Sequence, residues 1–265
     1  MKIPAIVFPT LVLLVGLGGC ADSPSVGQPT YVDLTHPFDE HTIFWPTEEG
    51  FSLERAFHGI TPGGYFYSAN RFRTAEHGGT HLDAPIHFFK DRETVDEIPL
   101  ERLIAPGVVI DVRAQCRQDP DYQVGIDDFG EWEERFGSRL EEVIVLLQTG
   151  FGDYWPDRAR YLGTEETGPA ALPKLHFPGL HPEAARWLVD HRRIRAIGLD
   201  TASIDYGQSK DFKTHVILAE HSIPIFENVA RIDELPPRGF TILALPMKIK
   251  GGSGGPLRIL ARLDP

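Results

Sequence analysis

The 265-residue sequence predicts an α/β domain. Three observations carry that prediction. Short apolar, β-branched runs recur along the chain. Segments of helical periodicity lie between them, and strands interleaved with helices make an α/β layer fold. Residues 31–265 show no internal repeat and fit the length range of one such domain.

The strands come first. Residues 107–112 (GVVIDV), 143–148 (VIVLLQ), 196–199 (AIGL) and 240–245 (FTILAL) are near-continuous apolar runs. Runs of that kind mark strands covered on both faces. Three helices are expected between and after them. Asp127 is placed to cap one that carries Phe129, Trp132 and Phe136 and stops at Gly137. Pro182 opens a second, with Ala185, Leu188 and Val189 on one face and basic residues at its end. Asp211 is placed to cap a third, running through His215 toward His221. The chain also holds 26 Gly and 22 Pro. They concentrate near 30–70 and 150–180, which therefore read as loops on the substrate side.

Composition narrows the function. With 42% hydrophobic residues the chain can bury a core, so it is not a disordered tail. Two cysteines exclude a disulfide framework and a Cys-rich zinc module. The 38 acidic against 26 basic side chains give a net charge of −12. That balance excludes a nucleic-acid binder, whose phosphate contacts need clustered cations.

The first 19 residues are not part of the fold. Lys2 is followed by a mostly apolar stretch of about 15 residues, too short to span a bilayer, which ends in small residues before Cys20. This resembles a bacterial lipoprotein signal peptide, with Cys20 as the lipid attachment point. The resemblance implies a cell-envelope or periplasmic protein, on the outer membrane if the cell is Gram-negative, whose membrane contact is the lipid alone. Residues 20–30 are polar and read as a tether. Acylation of Cys20 would leave Cys116 without an intramolecular partner.

One cluster carries chemistry. Within residues 77–87 the sequence reads HGGTHLDAPIH, with His77, His81, Asp83 and His87. Gly78, Gly79 and Pro85 argue against a helix. In a strand, His81 and Asp83 share a face. Gly78 and Gly79 let the chain turn so that His77 comes back toward them. Imidazole and carboxylate together suit Zn, Mn or Fe rather than Ca. Thr80 is placed to steady a ligand by hydrogen bonding. Phe44 and Trp45 read equally as lining for an aromatic-substrate pocket and as loop anchors, while Tyr206 and Phe212 lie just upstream of His215. The glycine-rich segment 248–256 (KIKGGSGGP) lacks the residue order of a phosphate loop and reads as a close backbone approach.

The cluster matches the signature H-x-G-T-H-x-D-x-P-x-H of the metal-dependent cyclase-like hydrolases, a family that includes bacterial kynurenine formamidases and isatin hydrolases. The similarity continues in Trp45-Pro46, in residues 198–205 (GLDTASID), in the pair His215 and Glu227, and in the closing segment 245–256. That resemblance implies a fold of the swivelling β/β/α type, in a homodimer or higher homo-oligomer. It also implies one or two divalent ions, Mn2+ or Zn2+, held by His77, His81, Asp83, His215 and Glu227, with His87 as the catalytic proton carrier. The implied substrate is a small aromatic or cyclic amide, an isatin-type lactam or an N-formylkynurenine-type formamide, cleaved at C–N by activated water. Formamidases usually carry an acidic residue near the position of Thr47, so this chain leans toward the lactam. The rival readings are a lyase or cyclase of the same family acting on another carbonyl compound, and a metal- or ligand-binding lipoprotein without turnover. A proton carrier beside the ligands counts against the latter.

Overall fold

The computed structural model describes residues 29–263. The expected leader at 1–19 lies outside the described residues, as does most of the tether, and Thr30 already belongs to the first strand. The chain opens with β1 (Thr30–Asp33), β2 (Ser52–Ile60), β3 (Phe66–Arg73) and β4 (His81–Asp83). It continues through α1 (Leu100–Leu103), β5 (Ile104–Asp111), α2 (Arg113–Cys116), β6 (Gln123–Val124), α3 (Ile126–Phe136) and β7 (Ile144–Gln148). Then come α4 (Arg158–Leu162), β8 (Gly179–Leu180), α5 (Pro182–His191), β9 (Ala196–Leu199), α6 (Lys213–Glu220) and β10 (Ile225–Glu227). Two long strands close it, β11 (Arg238–Pro246) and β12 (Gly254–Leu263).

The fold is α/β, as the interleaved pattern predicts. Strands β5, β7, β9 and β10 run parallel, while β1, β12, β11 and β4 pair antiparallel. The sheet order is β1-β12-β11-β5-β7-β9-β10-β4, and β4 pairs back onto β12. Seven strands therefore close into a barrel, a closure not foreseen from the sequence. The closing strand is the three-residue β4, which carries the histidine motif.

Two apolar cores arise from the alternation of side chains. Leu82, Val109, Leu146, Phe226, Ile242 and Ile259 fill the barrel. Val108, Ile110, Val145, Leu147 and Ile225 point the other way, against Phe129 of α3, Leu188 of α5 and Leu218 of α6. This places the chemistry. Leu82 and Phe226 point inward, so His81 and Asp83 on β4 and Glu227 on β10 point out, toward α6.

The expected caps shift by a residue or more. Helix α3 is capped at Gly125, whose N–H donates to the Asp128 carboxylate, so Asp128 and not Asp127 does the capping; Gly137 ends it at φ 58°, as predicted. Helix α5 starts at Pro182 as expected. Helix α6 is not capped by Asp211. Its first N–H groups donate to Asp205, eight residues before the helix. The loop around 150–180 also differs from expectation. Phe151, Tyr161, Leu175 and Phe177 form a small core of their own instead of lining a substrate site.

Candidate metal centre and substrate cavity

Backbone pairing assembles the donors. Glu227 lies directly opposite His81, and Ile225 opposite Asp83, so the three polar side chains share one face. The turn before β4 depends on glycine. Gly78 (φ 153°) and Gly79 (φ 57°) have left-handed backbones. A Cβ on Gly78 would lie 2.0 Å from the ring of Phe44, and one on Gly79 2.6 Å from Phe38. That turn swings His77 back until Nδ1 lies 2.6 Å from Asp83 Oδ1. From α6, His215 Nε2 reaches Asp83 Oδ2 and Glu227 Oε1, both at 3.2 Å. His81 Nε2 is 3.2 Å from Asp83 Oδ1 and 3.5 Å from Glu227 Oε2. All five expected ligands thus converge, and Asp83 stands between them.

Each imidazole is tied off on its outer nitrogen. His81 Nδ1 donates to the Gly79 carbonyl at 2.9 Å. Asn228 Nδ2 donates to the same carbonyl at 2.7 Å and accepts from Tyr161 through Oδ1. His215 Nδ1 donates to Asp205 Oδ2 at 2.6 Å. His77 Nε2 donates to Ser253 Oγ at 2.9 Å, and Ser253 Oγ in turn donates to Glu76 at 2.7 Å. The glycine segment 248–256 makes that last contact possible: a Cβ on Gly254 would lie 2.5 Å from the His77 ring. Thr80 does not touch a ligand side chain. It donates to the Asn228 carbonyl, beside Glu227.

The donor set fits a divalent cation. Donor atoms about 2.1 Å from one ion in tetrahedral geometry sit about 3.4 Å apart, close to the 3.2–3.5 Å spacings here. With Nε2–H committed to Ser253, His77 turns Nδ1 toward a carboxylate, an arrangement that needs positive charge between them. The electrostatics agree. Burial opposes charge on His81, yet Asp83 and Glu227 raise it to about 9. His215, against the same burial, is held well above its usual range by Asp205, Asp83 and Glu227. Burial and the Asp83 charge raise Glu227. Asp83 itself, despite burial, is drawn well below the carboxylate range by its three histidines. The cluster attracts cations, whether protons or a metal.

His87 lies beside the five and, with His77 and Asp83, makes up a group whose donor atoms could also hold an ion. Its ring stacks on His77 at 3.8 Å, and one of its nitrogens lies within 4.8 Å of donor atoms of His77 and Asp83. It is open to the cavity, but the surrounding protein strips enough water from the ring to push its pKa down to about 4, with the Asp83 charge opposing. At neutral pH it is an uncharged proton acceptor.

The donors form the floor of a cavity of about 550 Å³. Phe44, Trp45 and Phe212 line it, as anticipated. Tyr206 does not: its backbone packs against Gly179, where a Cβ would come within 2.3 Å, and its ring stays off the cavity wall. Phe88 is a wall residue that pattern reading missed; it stacks on His215 at 4.2 Å. Glu48, one residue past Thr47, is exposed and lines the cavity. Glu76 lines it too, its carboxylate accepting from the Ser253 N–H and hydroxyl beside His77. No Lys or Arg lines the cavity among the described residues.

Known proteins resemble this chain in both sequence and fold. A family model, Cyclase ("Putative cyclase"), matches residues 32–206. The isatin hydrolase of Roseibium aggregatum is 32% identical over 206 residues, covering 75% of this chain and 76% of that protein. The kynurenine formamidase of Bacillus cereus is 28% identical over 233 residues, covering 88% and 97%. A crystal structure of an isatin hydrolase bound to the product analogue thioisatinate superposes with a TM-score of 0.79 at 28% identity, covering 89% of this chain and 93% of that one. Sequence and fold agree over nearly the whole described length, and this chain belongs to the Cyclase family.

Proposed function

We propose that this chain is a metal-dependent hydrolase that opens a small, neutral aromatic lactam of the isatin type at its C–N bond. One observation carries the choice: His77, His81, Asp83, His215 and Glu227, with His87 beside them, lie at the floor of an aromatic cavity whose described lining contains no Lys or Arg. Phe44, Trp45, Phe88 and Phe212 offer aromatic surface that suits a flat neutral amide. The ring-opened product is a carboxylate, and the Glu48 and Glu76 carboxylates in the lining repel it, which favours release.

His77, His81, Asp83, His215 and Glu227 would hold one or two ions, Mn2+ or Zn2+. When bound, such an ion lowers the pKa of water toward about 7 and polarises a carbonyl. The protein supplies the rest. Asp205, Ser253 and the Gly79 carbonyl fix the imidazoles so that their inner nitrogens face the ion. His87, uncharged at neutral pH, takes a proton from the attacking water and returns it to the leaving nitrogen. The aromatic walls exclude water and hold the ring.

A second reading, hydrolysis of an N-formylkynurenine-type formamide, is favoured by Glu48, which would pair with a substrate ammonium. The same lining, among the described residues, has no Lys or Arg to pair with that substrate's carboxylate. Measuring the loss of isatin absorbance and, separately, of N-formylkynurenine absorbance with the metal-loaded protein decides between them. Turnover of isatin alone supports the first reading.

We also propose that the barrel is the swivelling β/β/α type of the family, and that the protein works as a homodimer or higher homo-oligomer. It is anchored in the cell envelope by a lipid on Cys20, which mass spectrometry of the membrane fraction would detect and Cys20→Ser would abolish.

A further inference from the structure

A second cavity, of about 360 Å³, shares no lining residue with the one over the metal donors. It lies at the carboxyl ends of the parallel strands β5 and β7, where Asp111 and Gln148 face each other in register. Trp132 and Phe136 of α3 line it, as do Leu235 and Pro237, which lead into β11. The crevice beyond the carboxyl ends of parallel strands is the usual place for a ligand in α/β sheets.

Two side chains of this lining have donors that the chain does not match. Trp132 is 7% exposed and Gln148 5%. Trp132 Nε1 and Gln148 Nε2 are buried, and neither meets an acceptor among the described residues. Buried donors left unmatched are costly and rare in native proteins. Two of them around one cavity point to an acceptor that comes from outside the chain.

The remaining polar groups narrow its chemistry. Arg113 is spent on Asp111, through Nε at 2.9 Å and Nη2 at 2.7 Å. Asp128 is spent on the Gly125 N–H, the Tyr122 hydroxyl and the Gln115 amide. The carboxylates of Glu131 and Asp233 accept no hydrogen bond among the described residues. A ligand must therefore present acceptors to Trp132 and Gln148 and donors to Glu131 and Asp233, and hydroxyl groups do both. An anion is disfavoured. Asp111, Asp128, Glu131 and Asp233 outnumber Arg113 and Arg135 in the lining, and Arg135, the guanidinium without a carboxylate partner, is exposed. A carboxylate beside Trp132 and Gln148 would lack a counter-charge. The apolar side chains of Val109, Ile110, Phe136 and Leu235 suit the C–H face of a sugar ring.

We propose that this cavity binds a small neutral polyhydroxylated molecule of monosaccharide size. The site is independent of the metal donors, so the hydrolase reading stands or falls separately. Proton–nitrogen correlation spectra of the full-length chain test it. The chain has 4 tryptophans and so four indole N–H signals, and Trp132→Phe identifies the one from Trp132. With D-glucose and D-galactose as probes, the Trp132 signal is expected to move saturably at millimolar concentration for at least one of them. The signal of Trp45, in the lining of the other cavity, is expected to stay fixed. Gln148→Leu is expected to raise the dissociation constant about 10-fold or more. Glu131→Ala with Asp233→Ala, both at exposed positions, is expected to do the same without touching the buried wall, so the test survives if Gln148→Leu fails to fold. A Trp132 signal that neither sugar moves, or that moves without saturating, would overturn the proposal. So would an affinity unchanged in the Glu131 and Asp233 double variant, or movement of the Trp45 signal instead. A Trp132 signal that moves with leucine and with neither sugar would overturn the hydroxyl assignment in favour of a zwitterion.

Discussion

Replacing Asp205 with Asn isolates what holds His215 in place. The carboxylate accepts from the N–H groups of Thr214 and His215 at 3.1 and 3.2 Å, from His215 Nδ1 at 2.6 Å and from Ser209 Oγ at 3.3 Å. Both oxygens are therefore occupied by donors. An amide cannot satisfy them in either orientation, because its NH₂ group must face at least one N–H. The less costly orientation keeps the oxygen toward His215 and leaves the Thr214 N–H unsatisfied. A buried donor without a partner costs about 1–3 kcal/mol, and the charge lost from the His215 bond adds about 1 kcal/mol. Asp205→Asn should thus destabilise the metal-free protein by about 2–4 kcal/mol in urea unfolding. Metal affinity, read by competition with a chromophoric chelator, should fall about 10–100-fold. Stability unchanged within about 0.5 kcal/mol together with affinity within about twofold of wild type would refute the reasoning, since the carboxylate would then neither cap α6 nor orient its histidine.

Three other outcomes are expected from the same geometry. His87→Ala should lower turnover by roughly 10²–10⁴ while metal content, measured by inductively coupled plasma spectrometry, stays at the wild-type level; loss of the metal would make His87 a ligand instead of a proton carrier. Ser253→Ala, which frees His77 Nε2 and leaves Glu76 only the backbone N–H of residue 253, should weaken metal binding about 10-fold in the chelator competition with little change in fold. His36 has its pKa pushed down to about 4 by burial against an unfolded value near 6.5, so the unfolded chain takes up a proton there that the folded chain refuses. Its contribution is complete above about pH 6.5 and is lost as pH falls toward 4, by up to about 1.4 kcal/mol per pH unit. His36→Gln should flatten that acid limb in urea titrations of chelator-treated protein, and an unchanged slope would count against it.

Much of this molecule is legible in its sequence, and the limits have physical causes. The apolar runs that became β7, β9 and most of β5 are readable because a strand covered on both faces must be apolar throughout, whereas the fourth run became β11, which buries only alternate residues. The compact motif His77 to His87 is readable because its residues are neighbours in the chain, and Gly78 and Gly79 announce a backbone that other residues resist. Closure of the barrel is not readable, since β4 has three residues and its pairing with β10 and β12 is decided by partners far along the chain. The supporting groups are hidden for the same reason. Ser253 lies 176 residues from His77, and Asp205 caps a helix that Asp211, closer in sequence, would have been expected to cap. Tyr206 shows the converse: nearness to His215 in sequence did not bring it to the cavity, because the tight packing of its backbone on Gly179 fixes the segment elsewhere.

Metal held by these five side chains should drive the opening of an aromatic lactam. The most direct measurement tracks isatin absorbance with protein stripped of metal by a chelator, then reloaded with Mn2+ or Zn2+. No turnover is expected when the protein is stripped, restored turnover when it is reloaded, and neither metal nor turnover in His81→Ala. Isatin hydrolysis that persists in the stripped protein would contradict this, and so would a fully loaded protein that leaves both isatin and N-formylkynurenine intact.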